Sequence, residues 1–112
     1  MDTEDNFAQI GGVRLDTVNL TWPFAKIIVD RQGIILKAFN KPYYLEKKKI
    51  TALREYKGII SKGLLIEHTY TVAPHHMVFW SFNLQRLKEK IERLGYAVGP
   101  LKKSDAWWQG GP

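Results

Sequence analysis

Cysteine is absent from all 112 residues, which excludes disulfide frameworks, zinc knuckles and thiol nucleophiles. No apolar run approaches the ~18 residues that a membrane-spanning helix needs, and the acidic opening MDTEDNFAQ is the reverse of a secretory signal. Neither a GxxxxGK(S/T) loop nor a GxGxxG turn occurs, so nucleotide binding has no motif behind it. No GxSxG elbow supplies an activated serine. Histidine is scarce as well. All three, His68, His75 and His76, sit in one stretch, GLLIEHTYTVAPHHMVFW, at 63–80.

What is present describes one soluble domain. A chain this long hides about two-thirds of its unfolded surface, and 45% hydrophobic with 25% charged residues gives it both a core and a solvated exterior. A cysteine-free chain with no apolar span is expected in the cytoplasm. Its net charge of +6 is concentrated in one place. Residues 37–62 hold Lys37, Lys41, Lys47, Lys48, Lys49, Arg54, Lys57 and Lys62 against Glu46 and Glu55, which accounts for the whole excess. A localised basic field draws anionic partners. Lys47, Lys48, Lys49, Arg54 and Lys57 are therefore candidates for contact with an anionic surface or an acidic protein. The plainer reading makes Lys47–Lys49 a solvated strand end that blunts a sheet edge.

Along the chain, strands alternate with closely spaced turns. Strands are expected at 12–18, 24–30, 34–39, 43–46, 50–56, 64–70 and 77–82. A break is expected at 19–23, where Pro23 restricts Trp22, a hairpin turn at Asp30-Arg31-Gln32-Gly33, and a further turn at Asn40-Lys41-Pro42. The period then changes. Leu84, Leu87, Ile91 and Leu94 share one helical face, with Asn83 or Ser81 to cap its start and Gly95 to stop it. Residues 1–10 are expected as a flexible acidic lead-in, 11–98 as the folded domain, and 99–112 as a C-terminal tail.

Seven short antiparallel strands and one C-terminal helix resemble the pleckstrin-homology-like (PH-like) fold. TWPFAKIIVDRQGIIL at 21–36, YYLEKKKITAL at 43–53, GLLIEH at 63–68 and VFWSFN leading into LQRLKEKIERLGY are similar to bacterial PH-like and GRAM-like sequences. The resemblance implies a barrel closed at one end by the helix, and a binding or assembly module rather than an enzyme. Two departures count against specific phosphoinositide recognition. The break at 19–24 offers no base, Lys26 being the nearest, and the helix carries no tryptophan.

The histidines read as structure. Strand ligands must sit two apart to share a face, so adjacent His75 and His76 diverge, and Pro74 puts them in a water-facing turn. His68 lines up with Leu64 and Ile66 as a core or rim residue. No metal and no cofactor are expected. Trp22, Phe24, Phe79 and Trp80 are assigned to the core or rim of the barrel. Trp107 and Trp108, close to Gly110-Gly111-Pro112, are candidates for self-association. Three function classes stay open. The first is a non-enzymatic module for a protein partner, itself, or a peripheral anionic membrane surface, acting through residues 37–62. The second is a nucleic-acid binder stacking bases on Tyr43, Tyr44 and Tyr56. The third is a small enzyme around His68 and Glu67.

Overall fold

Alternating side chains along two long strands set the frame. The computed structural model describes residues 5–58 and 61–103. Strand β1 (Asn6–Leu15) pairs antiparallel with β2 (Val18–Asp30), from Asn6 opposite Asp30 to Leu15 opposite Val18. Next come β3 (Gly33–Ala38), β4 (Lys41–Glu46), a 3-10 turn at Lys47–Lys49, β5 (Ile50–Lys57), β6 (Lys62–His68) and β7 (Met77–Trp80). Helix α1 (Leu84–Arg93) and strand β8 (Gly99–Lys103) complete the order. The strands form one sheet in the order β4-β3-β2-β1-β7-β6-β5-β8, with β8 parallel to β5 and all other pairs antiparallel. The chain is mainly β with one helix near its C-terminal side, as the sequence pattern implies. The sheet folds around its core without closing, so β4 and β8 remain edges.

The core lies on one face of both half-sheets. Phe7, Val29, Ile34 and Leu45 stand opposite one another across the first half, and all are buried. Leu15, Met77, Ile66 and Leu53 do the same across the second. Leu87 and Ile91 of α1 close over these rows with no exposed surface, each contributing roughly 1.5–3 kcal/mol by burial.

Helix ends follow local chemistry. Asn83 caps the start, its Oδ1 accepting from the Arg86 N–H at 3.1 Å and satisfying an otherwise orphaned donor. At the end, Gly95 N–H donates to Glu92 O and Tyr96 N–H to Ile91 O. This Schellman pattern requires a left-handed residue at Gly95, whose φ is 100°. Tyr96 then turns inward, and its hydroxyl donates to the Asp30 carbonyl at 2.6 Å, anchoring the helix end to the β2–β3 hairpin. Burial first, and the Asp30 charge second, push the Tyr96 phenol up to about 12. On the other half-sheet, Lys88 Nζ meets Glu55 Oε2 at 2.8 Å, and the hydrogen bond to Glu55 raises the lysine above its ordinary value.

Several boundaries depart from the sequence expectation. β1 begins at Asn6, inside the expected lead-in, because Phe7 is a core residue with Arg86 and Lys90 over its ring. β8 occupies Gly99–Lys103, inside the expected tail, and makes the strands eight rather than seven. The break at 19–23 is a bulge within a continuous β2. Gly11 faces Ala25 while Val13 faces Leu20, so residues 21–24, with a cis Trp22–Pro23 bond, lie against Gly12 alone. The second turn falls at Phe39-Asn40 instead of 40–42, and Pro42 pairs with Lys37 inside β4. An edge strand tolerates a residue with no N–H to give. Lys47–Lys49 form a 3-10 turn and not a strand end.

Candidate functional site

The basic segment does not form one surface. Lys37 stands on the outer face of the first half-sheet, opposite exposed Lys26. Lys47, Lys48 and Lys49 fan out from their turn. The first lies 5.0 Å from the Tyr96 ring centre, the second pairs with Glu46 at 3.6 Å, and the third lies 6.0 Å from Tyr70. Arg54 is 3.9 Å from Glu67 on the outer face of the second half-sheet, and Lys57 is exposed at the end of β5. The three tyrosines separate too. Tyr43 packs against the core, Tyr44 is exposed on the outer face, and Tyr56 is buried on the far half-sheet.

His68 is a strut. Its Nδ1 accepts from the Tyr70 N–H at 3.0 Å, which places the ring proton on Nε2, 2.7 Å from the Pro74 carbonyl. Both nitrogens thereby hold the loop between β6 and β7. Glu67 is turned to Arg54, so the pair does not converge on a shared point. His75 is exposed. His76, expected to face water, is half-buried and stands edge-on to Tyr56 at 5.7 Å, because its backbone is pinned to Asp16 from both sides. Among the described residues no three of His, Cys, Asp and Glu come together.

The concavity lies elsewhere, on the outer face of β5, β6, β7 and the end of β1. Period-two alternation sends Phe79 into the core and Trp80 to the opposite side. There Trp80 packs with Tyr56, Leu65 and Val78 as a small second cluster. Its indole lies across two glycines: a Cβ on Gly63 would stand 3.0 Å from Cε3 and one on Gly58 3.0 Å from Cη2. Gly63 is also pressed against the Phe79 carbonyl, leaving no space for a side chain. Trp80 Nε1 donates to Asn19 Oδ1 at 2.9 Å, fixing the ring as a floor.

The β2 bulge raises a wall beside this floor. Trp22 is 51% exposed and meets Phe82, 85% exposed, with ring centres 5.9 Å apart. The result is a groove of about 770 Å³ with Leu20, Tyr56, Trp80, Trp22 and Phe82 as apolar surface, within the size range of small-ligand and peptide pockets. Among the described residues its ionisable lining comprises Arg14, Lys62 and the buried Tyr56 phenol, with no carboxylate. Arg14 Nε donates to the Asp16 carbonyl at 3.2 Å, which holds it at the groove margin.

Sequence reasoning assigned Trp22, Phe24 and Trp80 to core or rim; Trp22 and Phe24 are exposed, and Trp80 faces away from the main core. The signal was present in Phe79-Trp80 itself, since adjacent strand residues cannot share one core. Trp107 and Trp108 lie outside the described residues.

A solved structure of the Spt16D Pob3N heterodimer is similar to this chain, with a TM-score of 0.64 at 14% identity over 99% of this chain and 62% of that one. At that identity the likeness shows the fold, which is PH-like. This chain thus spans less than two-thirds of the length of the chain it matches. No family model matches the sequence, and no curated protein matches it.

Proposed function

We propose that this domain is a non-enzymatic interaction module that seats a short peptide segment of a protein partner in the Trp80 groove. The observation that carries the reading is the chemistry of the lining: four aromatic side chains and two bases, with no carboxylate among the described residues. Such a surface favours a segment with aromatic and acidic side chains. Seating one large apolar side chain there contributes about 1.5–3 kcal/mol, and the bases add selectivity and a faster approach. The similar solved structure is a heterodimer, which supports a protein as the partner class. Part of the basic segment serves this reading, because Lys62 lines the groove and Lys57 stands next to Gly58 at its edge. The cysteine-free composition supports a cytoplasmic setting.

Titration of a labelled peptide carrying tryptophan and aspartate tests this, beside its counterpart with alanine for tryptophan. Phe82→Ala and Lys62→Glu should each weaken binding of the first peptide by ~10-fold or more, as truncation of an anchor does. Equal binding by wild type and both variants sinks the proposal.

A second reading rests on a separate patch. Phe24 and Phe39 stack with ring centres 5.1 Å apart, and exposed Lys26 and Lys37 stand opposite each other on the adjoining rungs. Aromatic tips flanked by lysines suit a peripheral anionic membrane surface. Vesicles with and without anionic lipid test it through Phe39→Ala, which leaves the groove untouched.

A further inference from the structure

We infer that the groove is one half of a longer site, and that the partner segment is extended and carries two apolar anchors about four residues apart. One anchor sits over Trp80 and the other over the Phe24–Phe39 pair, with carboxylates at both ends of the segment. This rests on the groove being a peptide site, and adds a second contact and a spacing.

Three observations converge. The first is continuity across one face. Gly12 pairs with Trp80 in the rung that floors the groove. A Cβ on Gly12 would meet the Leu20 carbonyl at 2.6 Å and the Trp22 nitrogen at 3.2 Å, so the β2 bulge occupies the outer side of β1 as a crest. Its two aromatic residues lean to opposite flanks. Trp22 meets Phe82 on the groove side, and Phe24 meets Phe39 toward β3. With Ile10 of β1, these four make up most of the exposed large apolar side chains among the described residues. Apolar surface gathered on one strip marks an interaction site.

The second is charge. Arg14 and Lys62 stand at the groove end of the strip. At the other end Lys26 and Lys37 face each other, on the same face as Phe24 by alternation. The outer rungs that hold Ala8, Ile10, Gly12 and Arg14 contain no Asp or Glu. Bases at both ends of an apolar strip favour a segment with carboxylates at both of its own ends. The third is spacing. From β7, which bears Trp80, β2 is two strands away and β3 three, so the Phe24–Phe39 pair spans a zone about 10–15 Å from the groove floor. Residues i and i+4 of an extended segment share a face and lie about 13 Å apart. A bilayer would engage the Phe24–Phe39 tips alone, whereas such a segment uses both flanks of the crest.

The test titrates the full chain with labelled, aspartate-flanked peptides: one tryptophan, two tryptophans separated by three residues, and two adjacent tryptophans. The spaced pair should bind at least ~10-fold more tightly than the single tryptophan, because its second contact is intramolecular. The adjacent pair should gain little. Phe39→Asn suits the left-handed backbone there, where φ is 58°. It should erase the gain and leave binding of the single-tryptophan peptide unchanged, and Lys37→Glu should reduce the gain. Thermal unfolding checks that both variants remain folded. The inference is overturned if the spaced pair gains nothing, if the adjacent pair gains as much, or if the gain survives both variants. It is also overturned if wild type binds anionic vesicles through Phe39 while the second tryptophan adds nothing, since the patch would then be a membrane contact. If the single-tryptophan peptide binds through Phe82 and Lys62 but the second anchor adds nothing, the groove stands and its extension falls. If no peptide binds wild type, the groove reading itself falls.

Discussion

The two half-sheets share one core but present different outer faces. On β1–β4 the outer rungs read Ala8, Ile28, Ile35, Tyr44 and then Ile10, Lys26, Lys37, Pro42. Neither of those rungs contains a glycine, and branched chains and lysines make up most of them. On β1, β7, β6 and β5 the matching rungs read Arg14, Val78, Leu65, Arg54 and then Gly12, Trp80, Gly63, Tyr56. Gly63 in that rung and Gly58 beside it allow the indole to lie flat where side chains would otherwise stand. A groove arises where side chains are withheld as much as where they are supplied. The difference between the faces thus comes from one rung together with Gly58 and the β2 bulge that lifts Trp22 beside it.

The strongest way to break this comparison is to remove adjacent residues on opposite faces. Phe79→Ala opens a void in the main core, where Phe79 is fully buried, and should cost about 3–5 kcal/mol. Trp80→Ala removes a half-buried ring from the small outer cluster and should cost about 1–2 kcal/mol, within the range of ordinary substitutions. Urea unfolding measures both. Equal costs would mean that the outer cluster is as structural as the core and that the groove is incidental to it.

Alkaline titration sharpens the comparison from the helix side, because α1 is fastened to each half-sheet by a titratable group. Tyr96 holds the first half through Asp30, and Lys88 holds the second through Glu55. The Tyr96 phenol is raised to about 12, above its unfolded value of about 10. The unfolded chain therefore loses that proton first as pH rises. Stability from this group is complete below pH ~10 and falls progressively as pH rises toward ~12. Lys88, also raised, loses its contribution on the same side, as pH climbs through its elevated value. Thermal unfolding from pH 8 to 11.5 should show the decline. Tyr96→Phe should lower stability near neutrality by about 1 kcal/mol and flatten the alkaline slope. An unchanged slope in Tyr96→Phe would assign the whole effect to Lys88 and the second half-sheet.

The fold was legible because periodicity reports burial directly. Leu84, Leu87, Ile91 and Leu94 could form only a helical stripe, and Asn83 and Gly95 marked its ends through cap chemistry. The Asp30–Gly33 hairpin was equally open, since Asp30 Oδ1 accepts from the N–H groups of both Gln32 and Gly33. β8 was not legible, because a short parallel edge strand depends on what lies beside it rather than on its own pattern. The β2 bulge looked like a chain break for a related reason. Pro23 signals a missing donor but not whether pairing resumes after it. The groove needed two facts that no linear pattern holds together, the register that sets Gly63 beside Trp80 and the bulge that lifts Trp22 toward Phe82.

The smallest expected effect concerns Lys47, Lys48 and Lys49, the most conspicuous charges in the sequence. Alternation along a strand would have placed two on one face and one on the other, yet the 3-10 turn spreads them in three directions. Two lie over tyrosine rings and one pairs with Glu46. The Lys48–Glu46 side chains are 78% and 60% exposed, so water and salt leave that pair worth little. The cation–ring contacts are of the kind that contributes about 0.5–1 kcal/mol when exposed. Changing all three to glutamate should therefore lower stability by about 1–2 kcal/mol in total. It should shift binding of the aromatic-acidic peptide only by the weakening of the long-range field, which is screened beyond ~8 Å at physiological salt. Lys62→Glu alone, at the groove margin, should do more than the triple change. Peptide titration at low and physiological salt compares them. If the triple change proves the more damaging at both, the partner engages the turn linking the half-sheets, and the groove face loses its claim.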